Sequence, residues 1–153
     1  MSAAYGQREV LENAECRRLL TEVGVGHVAF SAEALPAIQP VVFAVHDGQV
    51  VFRALPAGAL AEACRGVVAV AADAYHRTSG VAWSVTVVGP ARVVTDAGEV
   101  AALDALDLAS WPGSESRCYI AVDIGVVTGW RVRGGRPAWG DGRAGSERAR
   151  AGA

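Results

Sequence analysis

The side chains in this chain that could do chemistry are few and dispersed. They are His27, His46 and His76, the cysteines Cys16, Cys64 and Cys118, Ser84 beside Trp83, and arginines at the ends of apolar runs, notably Arg53 and Arg131. Histidine exchanges protons near neutral pH, so each one is a candidate acid or base. None has a serine, cysteine or aspartate at a spacing that makes a nucleophile–base pair, so a hydrolase is not indicated. His27 near the start of a strand reads as an exposed edge residue, His46 as part of a solvated turn, and His76 as a surface loop residue. An odd number of cysteines without a CxxC pattern argues against a disulfide framework and against a zinc site. Cys16 and Cys64 fall in helical segments and read as small buried hydrophobes. Arg53 closes an otherwise apolar strand, where a carboxylate partner or simple exposure is the plain expectation. Trp83 reads as core or interface, and Ser84 as a hydroxyl available to a ligand or to the backbone.

Composition narrows the partners. All 14 basic residues are arginine, the formal net charge is -2, and the arginines are scattered rather than grouped on one element. That pattern does not make a nucleic-acid surface. With 52% hydrophobic and 20% charged residues in 153, the chain suits one soluble domain with a real core. It shows neither a basic-then-apolar leader nor an apolar run of membrane-spanning length, so the expectation is a soluble, reduced, cytoplasmic protein.

The elements that must position these residues follow from periodicity and turn chemistry. Leu11, Cys16, Leu19, Leu20 and Val23 recur at helical spacing, predicting a helix over Asn13 to Glu22 capped by Asn13. A strand over Gly26 to Ser31 precedes a loop containing Pro36. Strands over Ala37–Val45 and Gln49–Ala54 flank His46-Asp47-Gly48, a strong hairpin signal. Pro56 and Gly58 open a short helix through Cys64. A short apolar strand over Val67–Ala72 and a long one over Val81–Val94 follow, the latter bent at Gly89-Pro90. Asp96 and Glu99 have capping-box spacing for a further helix, which Trp111-Pro112-Gly113 stops. The last strand is Cys118 to Val132, with glycines for bends. From Gly134 the chain is rich in Gly, Arg, Ala and Ser and predicts disorder unless Trp139 docks. The predicted organisation is therefore a flexible N-terminus over 1–8, one domain over 9–133 and a tail over 134–153. About six strands with short helices between them point to a mainly β fold, a small barrel; a sandwich is the alternative.

In this order, "VGHVAF", "PAIQPVVFAVHDGQVVFRALPAGAL", "VAWSVTVVGPARVV" and "WPGSESRCYIAVDIGVVTGW" resemble the pyridoxamine 5′-phosphate oxidase-like, flavin-binding split-barrel family in its actinobacterial form. The resemblance covers roughly Glu9 to Arg133. It implies a six-stranded split β-barrel with short flanking helices. It also implies a homodimer with FMN in grooves at the dimer interface, acting as an oxidoreductase on a small organic substrate. Carried over by position, the flavin ring lies along Gln39, Pro40, Val41, Val42 and Phe43. The phosphate is held by Arg53, Ala54 and the turn at Gly58 and Ala59, while Trp83, Ser84 and Arg131 approach the cofactor. Four positions depart from the family pattern: Ala54 stands where threonine is usual, Ala59 where lysine is usual, and Val42-Phe43 where Asn-Tyr is usual. The alternative reading is a split barrel that has lost its flavin and binds another small ligand, or catalyses a non-redox step, in the same pocket.

Overall fold

The computed structural model describes residues 7–109 and 118–134. Eight strands and three short helices alternate along it: β1 (Arg8–Val10), α1 (Asn13–Leu20), β2 (Val25–Ala32), β3 (Leu35–His46), β4 (Gln49–Ala54), α2 (Ala59–Ala63), β5 (Val67–His76), β6 (Val81–Val93), α3 (Ala97–Asp104), β7 (Cys118–Asp123) and β8 (Val126–Val132). All pairings are antiparallel, in the order β1-β8-β6-β5-β2-β3-β4-β7, and β6 also pairs with β7. That last pairing closes β6-β5-β2-β3-β4-β7 into a six-stranded barrel, with β8 and β1 added outside the ring. The predicted fold class is the one observed.

Alternation along each strand sorts side chains to two faces. Val28, Val41, Phe43, Val50, Phe52, Val70, Trp83, Val85, Val87, Ile120 and Val122 point inward and are almost fully buried. Each fully buried side chain of this size is worth about 1.5–3 kcal/mol. α1 plugs one end of this core with Cys16, Leu19 and Leu20. Cys16 lies against Gly129, where an added Cβ would come within 2.6 Å of its sulfur. A second, smaller core lies outside the barrel, where α3 covers β4 and β7 with Leu103, Val51, Tyr119 and Ala121.

Several local expectations shift. Glu12, not Asn13, precedes the first helical residue, and the Asn13 side chain instead accepts a bond from Arg17 Nε at 2.7 Å. The predicted Pro36 loop is the start of β3. Phe43 N donates toward β2, to Gly24 O at 2.9 Å, so the even-numbered amides of β3 point the other way. From Leu35 to Val42 no strand among the described residues lies on that side, which is why Pro36 and Pro40 are tolerated there. The connection to β2 is a two-residue turn in which Glu33 and Ala34 both take positive φ, 50° and 64°. Asp47-Gly48 forms the expected hairpin turn, also with positive φ at both residues. β5 runs on to His76, which pairs with Val81 and so lies in a strand rather than a loop. Arg8–Val10, read as the boundary of a flexible terminus, form a strand on β8. Trp111-Pro112-Gly113, the N-terminal residues 1–6 and the tail beyond 134 lie outside the described residues.

The expected last strand is one track broken into β7 and β8. Val88 faces Val126 and Ala91 faces Val122, so Gly89 and Pro90 lie opposite Asp123, Ile124 and Gly125. The extra residue belongs to the β7–β8 side, while β5 pairs with β6 without interruption through Gly89 and Pro90. A Cβ on Gly89 would sit 1.9 Å from the Asp123 carbonyl oxygen. Glycine is required here by close approach, not by its φ. Gly89→Ala is expected to destabilise the fold by about 2–3 kcal/mol or more, measured by chemical denaturation. Gly24→Ala, with nothing within 4 Å of the new carbon, serves as the near-neutral control.

Candidate functional site

The residues singled out by sequence fall on opposite sides of the barrel wall. Val41 and Phe43 face the core, and Ala54 joins them at 5% exposure. Trp83 is buried among the same core residues at 3% exposure. Ser84, its neighbour, points outward between Asp73 and Trp130 in the strand register. Pro40 and Val42 share the outer side of β3, next to His27 and Val25 of β2. Gln39 is exposed near the free edge of β3.

Arg53 also projects outward, at the end of β4, but its guanidinium is already engaged. Its Nη2 and Nε donate to the Tyr119 hydroxyl at 2.8 and 3.3 Å, and the group lies 5.2 Å from the centre of the Tyr119 ring. The same hydroxyl donates to Asp104 Oδ1 at 2.6 Å, and Asp104 Oδ1 stands 3.9 Å from Arg53. Burial raises the Tyr119 phenol above its ordinary value, and the hydrogen bond to Asp104 adds to the rise.

Arg131 lies on the other side of β8, under α1, with its side chain 12% exposed. It bonds to Glu15 and stands 3.9 Å from Glu9. The arginine therefore ties the N-terminal elements to β8 and does not share a face with Ser84. Gly58 and Ala59 line an open cavity of about 470 Å³ whose charged residues are Glu33 and Glu62. A second cavity of the same volume, between α2 and the ends of β6 and β7, includes Arg65, Arg92, Glu62 and Cys118. Arg92 there is held by Glu99. All three cysteines are free thiols; burial pushes Cys64 up to about 11 and raises Cys16 and Cys118, so none is a ready thiolate. Among the described residues no group of three His, Cys, Asp or Glu side chains is placed to hold a metal. No helix among them is long and apolar enough to cross a membrane.

What sequence reading did not isolate is the outer sheet surface itself. Across β1, β8, β6, β5, β2 and β3 the register lays Val126, Val88, Ala69, Ala29 and Ile38 in one row and Thr128, Thr86, Ala71, His27 and Pro40 in the next. Val10, Val25, Ile38, Val67, Tyr75, Val88 and Val126 all project from it, seven of the ten large hydrophobics exposed among the described residues. Asp73, and Arg8 stacked over Trp130 at 5.3 Å, are the charges on this surface. The signal was present as apolar residues on both parities of Val67–Ala72 and Val81–Val88, but only pairing register shows that they form one surface.

A small antiparallel barrel closed through a shared strand, with helices at one end and on one flank, defines a split barrel. The family model for pyridoxamine 5′-phosphate oxidase matches residues 12–130, and the chain belongs to that family. It is 37% identical over 133 residues to the uncharacterised protein Rv0080 of Mycobacterium tuberculosis, covering 82% of this chain and 87% of that protein. Among solved structures it resembles the FAD binding protein from Mycobacterium smegmatis, with a TM-score of 0.70 and 28% identity over 81% of this chain and 97% of the other. A FAD-binding protein from Mesorhizobium loti shares the fold, with a TM-score of 0.68 and 24% identity over 82% and 98% of the two chains.

The residues present fit a flavin unequally. The outer surface offers apolar floor and the hydroxyls of Ser84, Thr86 and Thr128 for a planar ring. For a phosphate there is Arg53, already partnered, while Ala54 faces the core and the Gly58–Ala59 cavity carries acids.

Glu15 reports on the arginine that lies apart. Hydrogen bonds from Arg18 and then Arg131 hold its carboxyl at about 2, against an ordinary value of 4.5. A depressed acid stabilises the fold above its unfolded value and loses that contribution as pH falls through the folded one. The melting temperature should therefore fall between pH 4.5 and 2, and Glu15→Gln should flatten that part of the profile.

Proposed function

We propose that this chain is a flavin-binding oxidoreductase of the cytoplasm that works as a homodimer, with FMN held at the rim of the outer sheet surface. The observation that carries this reading is that surface: mainly apolar across six strands, with Ser84, Thr86, Thr128, Asp73 and His27 set into it. Large contiguous apolar surfaces on soluble domains mark interaction or ligand sites, and a twofold dimer buries the same surface on both copies. Membership of the family and the likeness to a FAD binding protein support the cofactor class. FMN, when bound, would supply the hydride chemistry on a small organic substrate. The chain's own part would be to orient and shield: Pro40 and Val42 would give the ring apolar surface, Ser84 a hydroxyl, and Arg53 would be the cation available to the phosphate. The absence of an acid–base constellation among the three histidines suits such a division of labour.

Titration of purified protein into FMN, followed by flavin fluorescence, tests the cofactor. Saturable quenching with a shifted absorption band is expected, and no change at high micromolar protein would sink the reading. The acidic cavity beside Ala59 and the partnered Arg53 favour a second reading, a barrel that binds a different small ligand or catalyses a non-redox step, and a colourless protein indifferent to FMN would put it first.

Assembly is tested separately. Val88→Glu places a charge opposite Val126 in the middle of the apolar row. By light scattering the native protein should have the dimer mass and the variant the monomer mass, with the circular dichroism of both alike. A monomeric native protein at micromolar concentration would refute the dimer.

A further inference from the structure

Asp104 is the last residue of α3, an eight-residue helix with no basic residue in its final turn. A carboxylate there faces the negative end of the helix dipole, an unfavourable place on its own. Its position is accounted for by what it meets. The Tyr119 hydroxyl, on a side chain only 5% exposed, donates to Asp104 and accepts from Arg53, and the carboxylate stands 3.9 Å from the guanidinium. The three residues come from α3, β7 and β4, and they form one charge-balanced chain of bonds on the outside of the barrel. Tyr119 aims Arg53, through the hydroxyl and through its ring; Asp104 supplies the negative charge that an external anion would otherwise supply.

We infer that Asp104 is a specificity-determining residue of the Arg53 site: it neutralises the guanidinium that the flavin reading assigns to a ligand phosphate, so the protein takes a flavin by its ring and accepts the phosphate-free form as readily as FMN. This rests on the flavin reading above and deepens it. The internal carboxylate opposes a phosphate in two ways. It cancels part of the guanidinium's attraction, and its own charge repels a dianion brought to the same place. Asp104 is 59% exposed and Arg53 28%, so solvent screens the effect to the modest scale of an exposed ion pair. The departures at Ala54 and Ala59 act in the same direction, since neither side chain adds a donor for the phosphate.

The test compares FMN with riboflavin, which differ by the phosphate alone, on full-length native protein and on Asp104→Asn, Arg53→Ala and the double variant. Asparagine keeps an acceptor for the Tyr119 hydroxyl and removes the charge; Asp104→Ser is the second variant should the amide perturb folding, and thermal melts check both. Native protein is expected to bind the two flavins within about twofold of each other, and Asp104→Asn to bind FMN about fivefold more tightly with riboflavin unchanged. Arg53→Ala in the Asp104→Asn background should abolish that gain. A merely structural role for Asp104 would shift both flavins together, and that result overturns the inference. So does a native preference for FMN of about tenfold or more, close to the full worth of a charge-assisted bond. Failure of either flavin to bind any of the proteins is a different result: it overturns the flavin reading, and this inference with it.

Discussion

At Gly89 the backbone of β6 and the Asp123 carbonyl come so close that no side chain fits between them, and the architecture turns on that approach. β6 is long enough to serve two parts of the wall. Its first stretch lies between β5 and β8, and its last residues pair with β7. The returning strand must pass from one ladder to the other while keeping its core residues inward. It does so by inserting an extra residue, with Gly125 N bonded back to Asp123 O at 2.9 Å. Without that adjustment a one-residue slip would turn Ile120 and Val122 to solvent.

The same strict alternation decides which residues are available to a ligand. Adjacent residues in sequence land on opposite sides of the wall: Ala54 inside and Arg53 outside, Trp83 inside and Ser84 outside. A site on this barrel is therefore made of every second residue of several strands, never of a contiguous motif. Arg53 lies on β4 and Ser84 on the first stretch of β6, with β7 between those strands in the ring, and Arg131 is set beneath α1 by its ion pairs with Glu15 and Glu9. A ligand that reached Arg131 as well would have to cross the wall, so the candidate site is the outer surface with Ser84 and, at its far side, Arg53.

Much of this was legible in the residues. The barrel class followed from short strands and turn glycines, and β4 and the Asp47-Gly48 turn were placed to the residue. Asp96 was read as a cap, and its side chain accepts from Glu99 N at 2.9 Å. What escaped depends on register. β1 has three residues and no periodicity of its own; it exists because β8 offers it an edge. The extent of β5 beyond Ala72 is set by pairing with β6, since Asp73 and His76 argue locally for a loop. The Arg53–Tyr119–Asp104 chain joins residues 66 and 15 positions apart on three elements, and no local spacing announces it. The resemblance, in turn, singled out Arg53 and Ser84; a carboxylate partner was one of the two plain expectations for the arginine, but nothing in the sequence named Asp104 as that partner.

The prolines of β3 carry a consequence for how copies of this chain can meet. An apolar strand with a bare edge, such as Leu35 to Val42, is a template for endless strand addition and hence for fibrous aggregates. Here the amides on that edge belong to the even-numbered residues, and two of these, Pro36 and Pro40, have no hydrogen to donate. A second strand laid alongside would find Ile38 and Val42 as the isolated donors of an interrupted ladder. Growth by edge-to-edge zippering is thereby suppressed along this stretch of β3. In the dimer proposed above, the broad apolar surface would be covered by stacking sheet against sheet, an association that closes after one partner instead of propagating.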